Sequence, residues 1–94
     1  MATGVHDPRY RAIIAELRDM RLRLGLNQTD LAKLLGTRQQ FVSKYESLER
    51  RLDVIEFLDI AVALRVPADE ISSILTRLAI APARHSIERS DTML

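Results

Sequence analysis

The chain has 94 residues, no cysteine and a formal net charge of +1. This length excludes a large multidomain protein and allows one domain with a modest hydrophobic core. The lack of cysteine excludes disulfides and fits a reducing compartment. No apolar run reaches the length that spans a bilayer and no signal-peptide pattern is present, so we expect a soluble, cytoplasmic protein without a membrane partner.

The hydrophobic pattern predicts an all-α domain of five helices over residues 7–81. Residues 1–6 show no periodicity and are interpreted as a flexible arm. Residues 82–94 are polar and aperiodic, and they are predicted to be a disordered tail. The first helix is expected to begin at Asp7-Pro8, because these residues suit the N-cap and the first helical position.

Two short segments follow, and their pattern predicts a helix-turn-helix. Asn27 and Asp30 form a capping-box-like pair at the start of the first segment. Gly36 is placed where the chain must leave that helix through a left-handed conformation. The second helix is predicted over residues 38–46.

The second helix of this pair places Val42 and Tyr45, three residues apart, on its inner side. Its outer side carries only hydrogen-bonding groups, which belong to Arg38, Gln39, Gln40, Ser43 and Lys44. Such a face suits the major groove of double-stranded DNA, where glutamine pairs with adenine and arginine or lysine with guanine. Phe41 is expected either to touch a thymine methyl group or to pack half-buried against the domain.

The last two helices carry most of the remaining apolar residues. Asp53 and Glu56 form a second capping-box-like pair at the start of the fourth helix. Apolar residues surround most of this helix, so we expect it to be the buried centre of the domain. Pro67 opens the fifth helix, where Asp69 and Glu70 suit the positive end of the helix dipole.

The fifth helix has an apolar stripe that a four-helix core does not need. We predict that Ile74, Leu78 and Ile80 contribute to a two-fold dimer interface. The alternative is that these residues fold back on the first helix.

Charge is distributed unevenly along the chain. Between Arg18 and Arg51 there are eight basic and four acidic residues, a net charge of +4. Between Leu52 and Ala81 two basic residues stand against five acidic ones, a net charge of −3. A protein polarised in this way presents a positive face to phosphate, and we expect the Arg50-Arg51 loop to contact the DNA backbone.

The run LGLNQTDLAKLLG followed by TRQQFVSKYES resembles the Cro/C1-type helix-turn-helix of lambdoid phage repressors and the XRE family, over about residues 17–75. The resemblance implies a lambda-repressor-like domain and a sequence-specific transcriptional regulator of bacteria or phages, most often a repressor. It also implies a homodimer on an inverted repeat, with recognition helices in successive major grooves about 34 Å apart. Such a protein is cytoplasmic and associated with the nucleoid.

The resemblance also implies roles for single residues. Gln28 would bond a DNA phosphate and brace the recognition helix, and the five outward residues named above match the base-reading positions. Arg21 and Glu46 would form a partly buried salt bridge, whose disruption leaves an uncompensated charge.

Two positions depart from the family pattern. Leu48 stands where the family usually has glycine, and Arg65 where it often has one. A left-handed backbone costs a residue with a side chain about 1–2 kcal/mol. We therefore expect the loop after the third helix to take another path, which also affects the contacts of Arg50 and Arg51.

The residue pattern indicates no other chemistry. His6 and His85 lie in the predicted mobile ends, without cysteines or spaced carboxylates that would complete a metal site. No glycine-rich phosphate loop and no serine with a histidine base is apparent. We therefore expect no catalysis, no metal and no cofactor.

Two other classes of function stay open. One is an antitoxin, a protein-interaction module that holds a toxin through the fifth helix and the tail and binds DNA for autoregulation. The other is a coactivator-like bridging factor with the same fold but little affinity for DNA.

Overall fold

The computed structural model describes residues 6–79, and the predicted all-α, five-helix fold is confirmed within that range. Its helices are α1 (Pro8–Arg23), α2 (Gln28–Leu35), α3 (Gln39–Glu46), α4 (Val54–Ala63) and α5 (Ala68–Ala79). The predicted tail, most of the predicted arm and Ile80 lie outside the described residues. No helix within residues 6–79 is long and apolar enough to cross a membrane.

Reciprocal hydrogen bonds explain where α2 and α4 begin. Asn27 and Asp30 each accept a bond from the backbone N–H of the other, at 2.7 and 2.9 Å. Asp53 and Glu56 repeat the arrangement at 2.7 and 3.0 Å. Each box satisfies two backbone donors that a helix start leaves unpaired, so both predicted capping boxes are confirmed.

Helices α1 to α4 end in the same backbone motif. In each, a residue with positive φ donates its N–H three residues back, and the next residue donates five residues back, which is a Schellman motif. The positive-φ residues are Gly25 at 74°, Gly36 at 70°, Leu48 at 67° and Arg65 at 60°.

Leu48 therefore adopts the left-handed conformation, and the expectation of another loop path is wrong. Its N–H bonds the carbonyl of Tyr45, and the N–H of Glu49 bonds that of Lys44 at 2.8 Å. The Leu48 side chain is half-buried and packs against the core. These contacts offset the backbone strain that favours glycine at this position.

The core draws side chains from all five helices. Its largest fully buried members are Leu17, Leu31, Val42, Tyr45, Ile60 and Ile74. Because Ile74 has no exposed surface, it is unavailable to a second chain, and its prediction as an interface residue is wrong. Helix α5 instead folds back on α1, where Arg9 donates to the Leu78 carbonyl at 3.1 Å and Arg77 pairs with Glu16 at 3.1 Å.

Helix α4 is not the buried centre that its composition predicts. Phe57 and Ile60 are buried, and this face of α4 packs toward α2. Val54, Ile55 and Val62 stay 71%, 64% and 70% exposed. A ten-residue helix at the edge of a five-helix domain covers only one face, and the described residues place nothing over the other.

Candidate nucleic-acid interface

Helix α3 stands on two anchors and leaves its polar face open. Val42 and Tyr45 are fully buried, as predicted. On the other side, three residues of α3 are exposed and Ser43 is half-buried; the exposed three are Gln39, Gln40 and Lys44. Arg38 is also exposed, but it is the N-cap of α3 rather than its first helical residue.

A shallow groove runs along this face, between the turn before α3 and the loop after it. It is lined by Gly36, Thr37, Arg38, Gln40, Phe41, Lys44 and Arg50. Three of the five predicted base-reading residues, Arg38, Gln40 and Lys44, line this groove, whereas Gln39 and Ser43 are not part of its lining. An exposed helix with such donors and acceptors can present them to the edges of base pairs.

A buried ion pair fixes the end of α3 against α1. The carboxylate of Glu46 receives bonds from Nε and Nη2 of Arg21 at 2.8 and 2.9 Å, so the pair implied by the resemblance is present. A third guanidinium donor, Nη1, bonds the carbonyl of Leu26 at 2.8 Å. The bonds to Glu46 raise the pKa of Arg21 further above its ordinary value. Both charges are therefore compensated where water has little access.

Gln28 extends this pair to the exposed end of α3. Its Nε2 donates to Glu46 at 3.0 Å, and its Oε1 accepts a bond from Nε2 of Gln39 at 2.6 Å. An amide nitrogen carries two N–H groups, so Gln28 and Gln39 each keep one donor free for a ligand. The buried pair, Gln28 and Gln39 form one hydrogen-bonded chain, which we call the glutamine relay.

A second cluster holds the loop that follows α3. Nη1 and Nη2 of Arg50 bond the two carboxylate oxygens of Glu56 at 2.9 and 2.7 Å. The guanidinium carbon of Arg50 lies 4.9 Å from the centre of the Phe41 ring, within cation–π range. The hydrogen bonds between Arg50 and Glu56 raise the pKa of Arg50 and lower that of Glu56. We call these three residues the arginine clamp.

The clamp changes the expectation for the Arg50-Arg51 loop. Nη1 and Nη2 of Arg50 are paired with a carboxylate of its own chain, although the Arg50 side chain remains 42% exposed. Arg51 is exposed and has no ion-pair partner among residues 6–79, and the same is true of Arg38 and Lys44. Of the cations that line the groove, Arg38 and Lys44 therefore keep their donors open to an anion.

The buried hydroxyl of Tyr45 is energetically unfavourable, which the sequence pattern does not reveal. Its ring is fully buried and lies 5.5 Å from that of Phe41, but its hydroxyl has no hydrogen-bond partner in the described part of the chain. Burial raises the pKa of this hydroxyl well above its ordinary value, so it stays neutral.

Sequence reasoning missed the arginine clamp and the bond between Gln28 and Gln39. Gln28 was assigned a bracing role through the resemblance, but the residue it would contact was not named. Glu56 was interpreted only as a capping residue, although its spacing of six residues from Arg50 across a loop leaves a bidentate pair possible. The charge of Glu56 beside the basic loop was the available signal.

Comparison with known proteins agrees with this geometry. A helix-turn-helix family model (HTH_3) matches residues 17–71, which is more than half of the chain and includes α2 and α3. A comparison with curated protein sequences gave no match. The open polar face of α3, the two helices at a glycine turn and the family match point the same way: the chain belongs to the helix-turn-helix family of Cro/C1-type, XRE-family DNA-binding transcriptional regulators.

Proposed function

We propose that the protein is a sequence-specific repressor, encoded by a bacterium or a phage, that acts in the bacterial cytoplasm. It binds an inverted-repeat operator as a dimer. The observation that carries this proposal is the exposed polar face of α3 on a buried, ion-paired scaffold.

The contacts divide into base reading and backbone positioning. Gln39 and Gln40 pair with adenine, each through its Oε1 and one amide N–H. Arg38 and Lys44 pair with guanine or with phosphate, and the Ser43 hydroxyl hydrogen-bonds the next base. Gln39 does this while its second amide proton remains bonded to Gln28.

Phosphate is held on both sides of this face. Gln28 offers its free amide proton at the start of α2. Arg51, which has no ion-pair partner within residues 6–79, offers its guanidinium after α3. Such contacts fix the register of the protein on DNA without reading its sequence. Arg50 is not assigned to phosphate, because its two terminal nitrogens are already bonded to Glu56.

Dimer formation is supported by apolar surface beside α5. Leu75 is 44% exposed, and with Leu78 and Val54 it lines an apolar groove between α1, α4 and α5. Leu78 and Ile80 remain the proposed contacts of a two-fold interface, whereas Ile74 belongs to the core. A second copy would remove this apolar surface from water.

Selection of bound duplexes from a random pool tests the proposal. We expect one enriched inverted repeat, with half-sites about one helical turn apart. Binding to it should weaken by orders of magnitude between about 50 and 200 mM salt, because counterions are released. Recovery of no enriched sequence, with no shift of any duplex at low salt, would contradict sequence-specific binding and favour a bridging factor.

An antitoxin is the second candidate, because the exposed apolar face of α4 offers a surface for a protein partner. The partner would be a toxin encoded beside this chain. Expression of the neighbouring gene alone should then arrest growth, and co-expression of this protein should restore growth. Val62→Ser should reduce this rescue. A neighbouring gene without toxicity would remove this candidate.

A further inference from the structure

We propose that Arg50 is a positioning residue for Phe41, and that the arginine clamp lets Phe41 recognise the methyl group of one thymine in the operator. The inference rests on the proposed DNA-binding function and adds a specificity determinant to it. Neither Arg50 nor Glu56 touches a base in this arrangement.

The first support is the way the guanidinium of Arg50 is used. Its two terminal nitrogens bond both oxygens of Glu56, and one of them also donates to the Arg51 carbonyl at 3.3 Å. A phosphate would have to displace a carboxylate that already makes two charge-assisted, bidentate bonds. Arg50 is thus already engaged, in contrast to the neighbouring Arg51.

The second support is that Glu56 is held independently of Arg50. Its Oε1 accepts the N–H of Asp53 at 3.0 Å, and its own N–H bonds Oδ1 of Asp53 at 2.7 Å. The carboxylate is therefore fixed to the start of α4 by the capping box. Through it, Arg50 is fixed relative to the helix bundle and not only to its own loop.

The third support is the position of the Phe41 ring. Arg50 stacks on it at 4.9 Å, and Tyr45 lies 5.5 Å away at an interplanar angle of 58°. The ring is half-buried, and it lines the same groove as Gln40 and Lys44. An apolar edge held beside two hydrogen-bonding side chains matches a base pair that offers a methyl group, and in the major groove only thymine does so.

A phosphate-binding role for Arg50 predicts the opposite behaviour, so the two can be separated. If Arg50 leaves Glu56 to bind phosphate, then Glu56→Gln frees the arginine and strengthens binding to all sequences. If Arg50 positions Phe41, Glu56→Gln loosens the ring and lowers discrimination at one base pair. Glutamine at this position still completes the capping box, so α4 keeps its start.

The experiment measures affinity by fluorescence anisotropy for the selected operator and for duplexes in which single thymines are replaced by uracil. Uracil lacks only the methyl group. We expect the parent to lose about fourfold in affinity at one such position in each half-site, the value of one buried methyl-sized group. Phe41→Ala, Glu56→Gln and Arg50→Lys should each bind the thymine and uracil duplexes equally at that position.

Arg50→Lys is the matched control for charge, since lysine keeps the cation but loses the planar stack and the bidentate pair. Under the proposal it behaves like Glu56→Gln. Thermal unfolding of each variant near the parent temperature shows that the fold is kept. Tighter binding of Glu56→Gln to every duplex with a steeper salt dependence, or unchanged methyl discrimination in Arg50→Lys, would overturn the inference.

Failure of the inference and failure of the proposed function have different signatures. A parent that binds the operator but shows no loss with any uracil duplex overturns the inference alone. A parent that binds no duplex at low salt overturns the proposed function, and the inference falls with it.

Discussion

The two flanks of α3 are held by the same kinds of groups in different surroundings. At one flank Arg21 and Glu46 have side chains that are 6% and 4% exposed, and Gln28 and Gln39 extend their contact to the surface. At the other flank Arg50 and Glu56 have side chains that are 42% and 26% exposed. Both pairs are bidentate, with bonds of 2.7 to 2.9 Å.

The difference between the flanks shows that geometry alone does not give an ion pair its role. Removing one partner of a buried pair leaves a charge without water, which is costly. Removing one partner of an exposed pair returns the other to solvent, and such pairs contribute about 0–1 kcal/mol. We therefore expect the ion pair of the glutamine relay to contribute strongly to the free energy of unfolding. The arginine clamp should contribute little to stability and should mainly fix the positions of its three side chains.

The largest expected effect comes from breaking the buried flank. Arg21→Met should lower the free energy of unfolding by about 3–5 kcal/mol, because Glu46 is left buried and charged. Urea unfolding followed by circular dichroism measures the change. The double variant Arg21→Met with Glu46→Leu is the control and should recover much of the loss. A loss below about 1 kcal/mol in the single variant would place this pair with the exposed ones.

Between the flanks, removal of the Tyr45 hydroxyl should stabilise the protein. Tyr45→Phe should raise the free energy of unfolding by about 1–3 kcal/mol, since it removes a buried polar group that lacks a partner. Tyr10→Phe is the matched control. The Tyr10 hydroxyl accepts the Leu52 N–H at 2.9 Å, so its removal should destabilise the protein. Equal effects of the two variants in the same unfolding assay would contradict this assignment.

Two helices are followed by a residue other than glycine with positive φ, Leu48 and Arg65. Leu48 packs against the core, so the two positions show what side-chain packing contributes. Arg65→Gly should stabilise the protein by about 1 kcal/mol, because Arg65 is exposed and is not among the side chains packed against the hydrophobic core. Leu48→Gly relieves similar strain but loses core contacts, so we expect a smaller or opposite change. Arg65→Ala keeps the strain, and a gain as large as that of Arg65→Gly would contradict the explanation.

The smallest effect concerns the exposed charges at acidic pH. Bonds from Arg9 lower the pKa of Asp7 from 3.8 to about 2. A lowered pKa means that Asp7 contributes stability above about pH 4 and that this contribution is lost as the pH falls through 2. Asp7→Asn keeps a good N-cap but removes the titration. Its unfolding free energy, measured between pH 5 and 2, should fall less steeply than that of the parent; parallel curves would exclude this role.

The sequence predicted best what is decided locally. The capping boxes at Asn27 and Asp53 each depend on two residues three apart, and the glycine turn at Gly36 depends on one. Such signals lie within a single turn of chain, so no tertiary information is needed. The inward positions Val42 and Tyr45 followed for the same reason, because helical periodicity separates one face from the other.

What could not be predicted depends on neighbours distant in the chain. The exposure of Val62 and the burial of Ile74 are set by which helix lies across each face, and composition does not contain that information. Leu48 keeps its strained backbone because its side chain packs on the core, a contact that a local rule for glycine does not include. The partners of Arg50 and Gln39 likewise depend on where α4 and α2 come to rest.

Replacement of Gln40 most directly tests whether the open face of α3 reads bases. Gln40 is exposed, and unlike Gln39 it makes no hydrogen bond to another side chain within residues 6–79. Affinities of the parent and of Gln40→Ala are compared on the selected operator and on every single-base change in one half-site. We expect a loss of about 1–3 kcal/mol confined to one base pair, with unchanged stability. Equal affinities of the variant and the parent for every duplex would contradict base reading by this face.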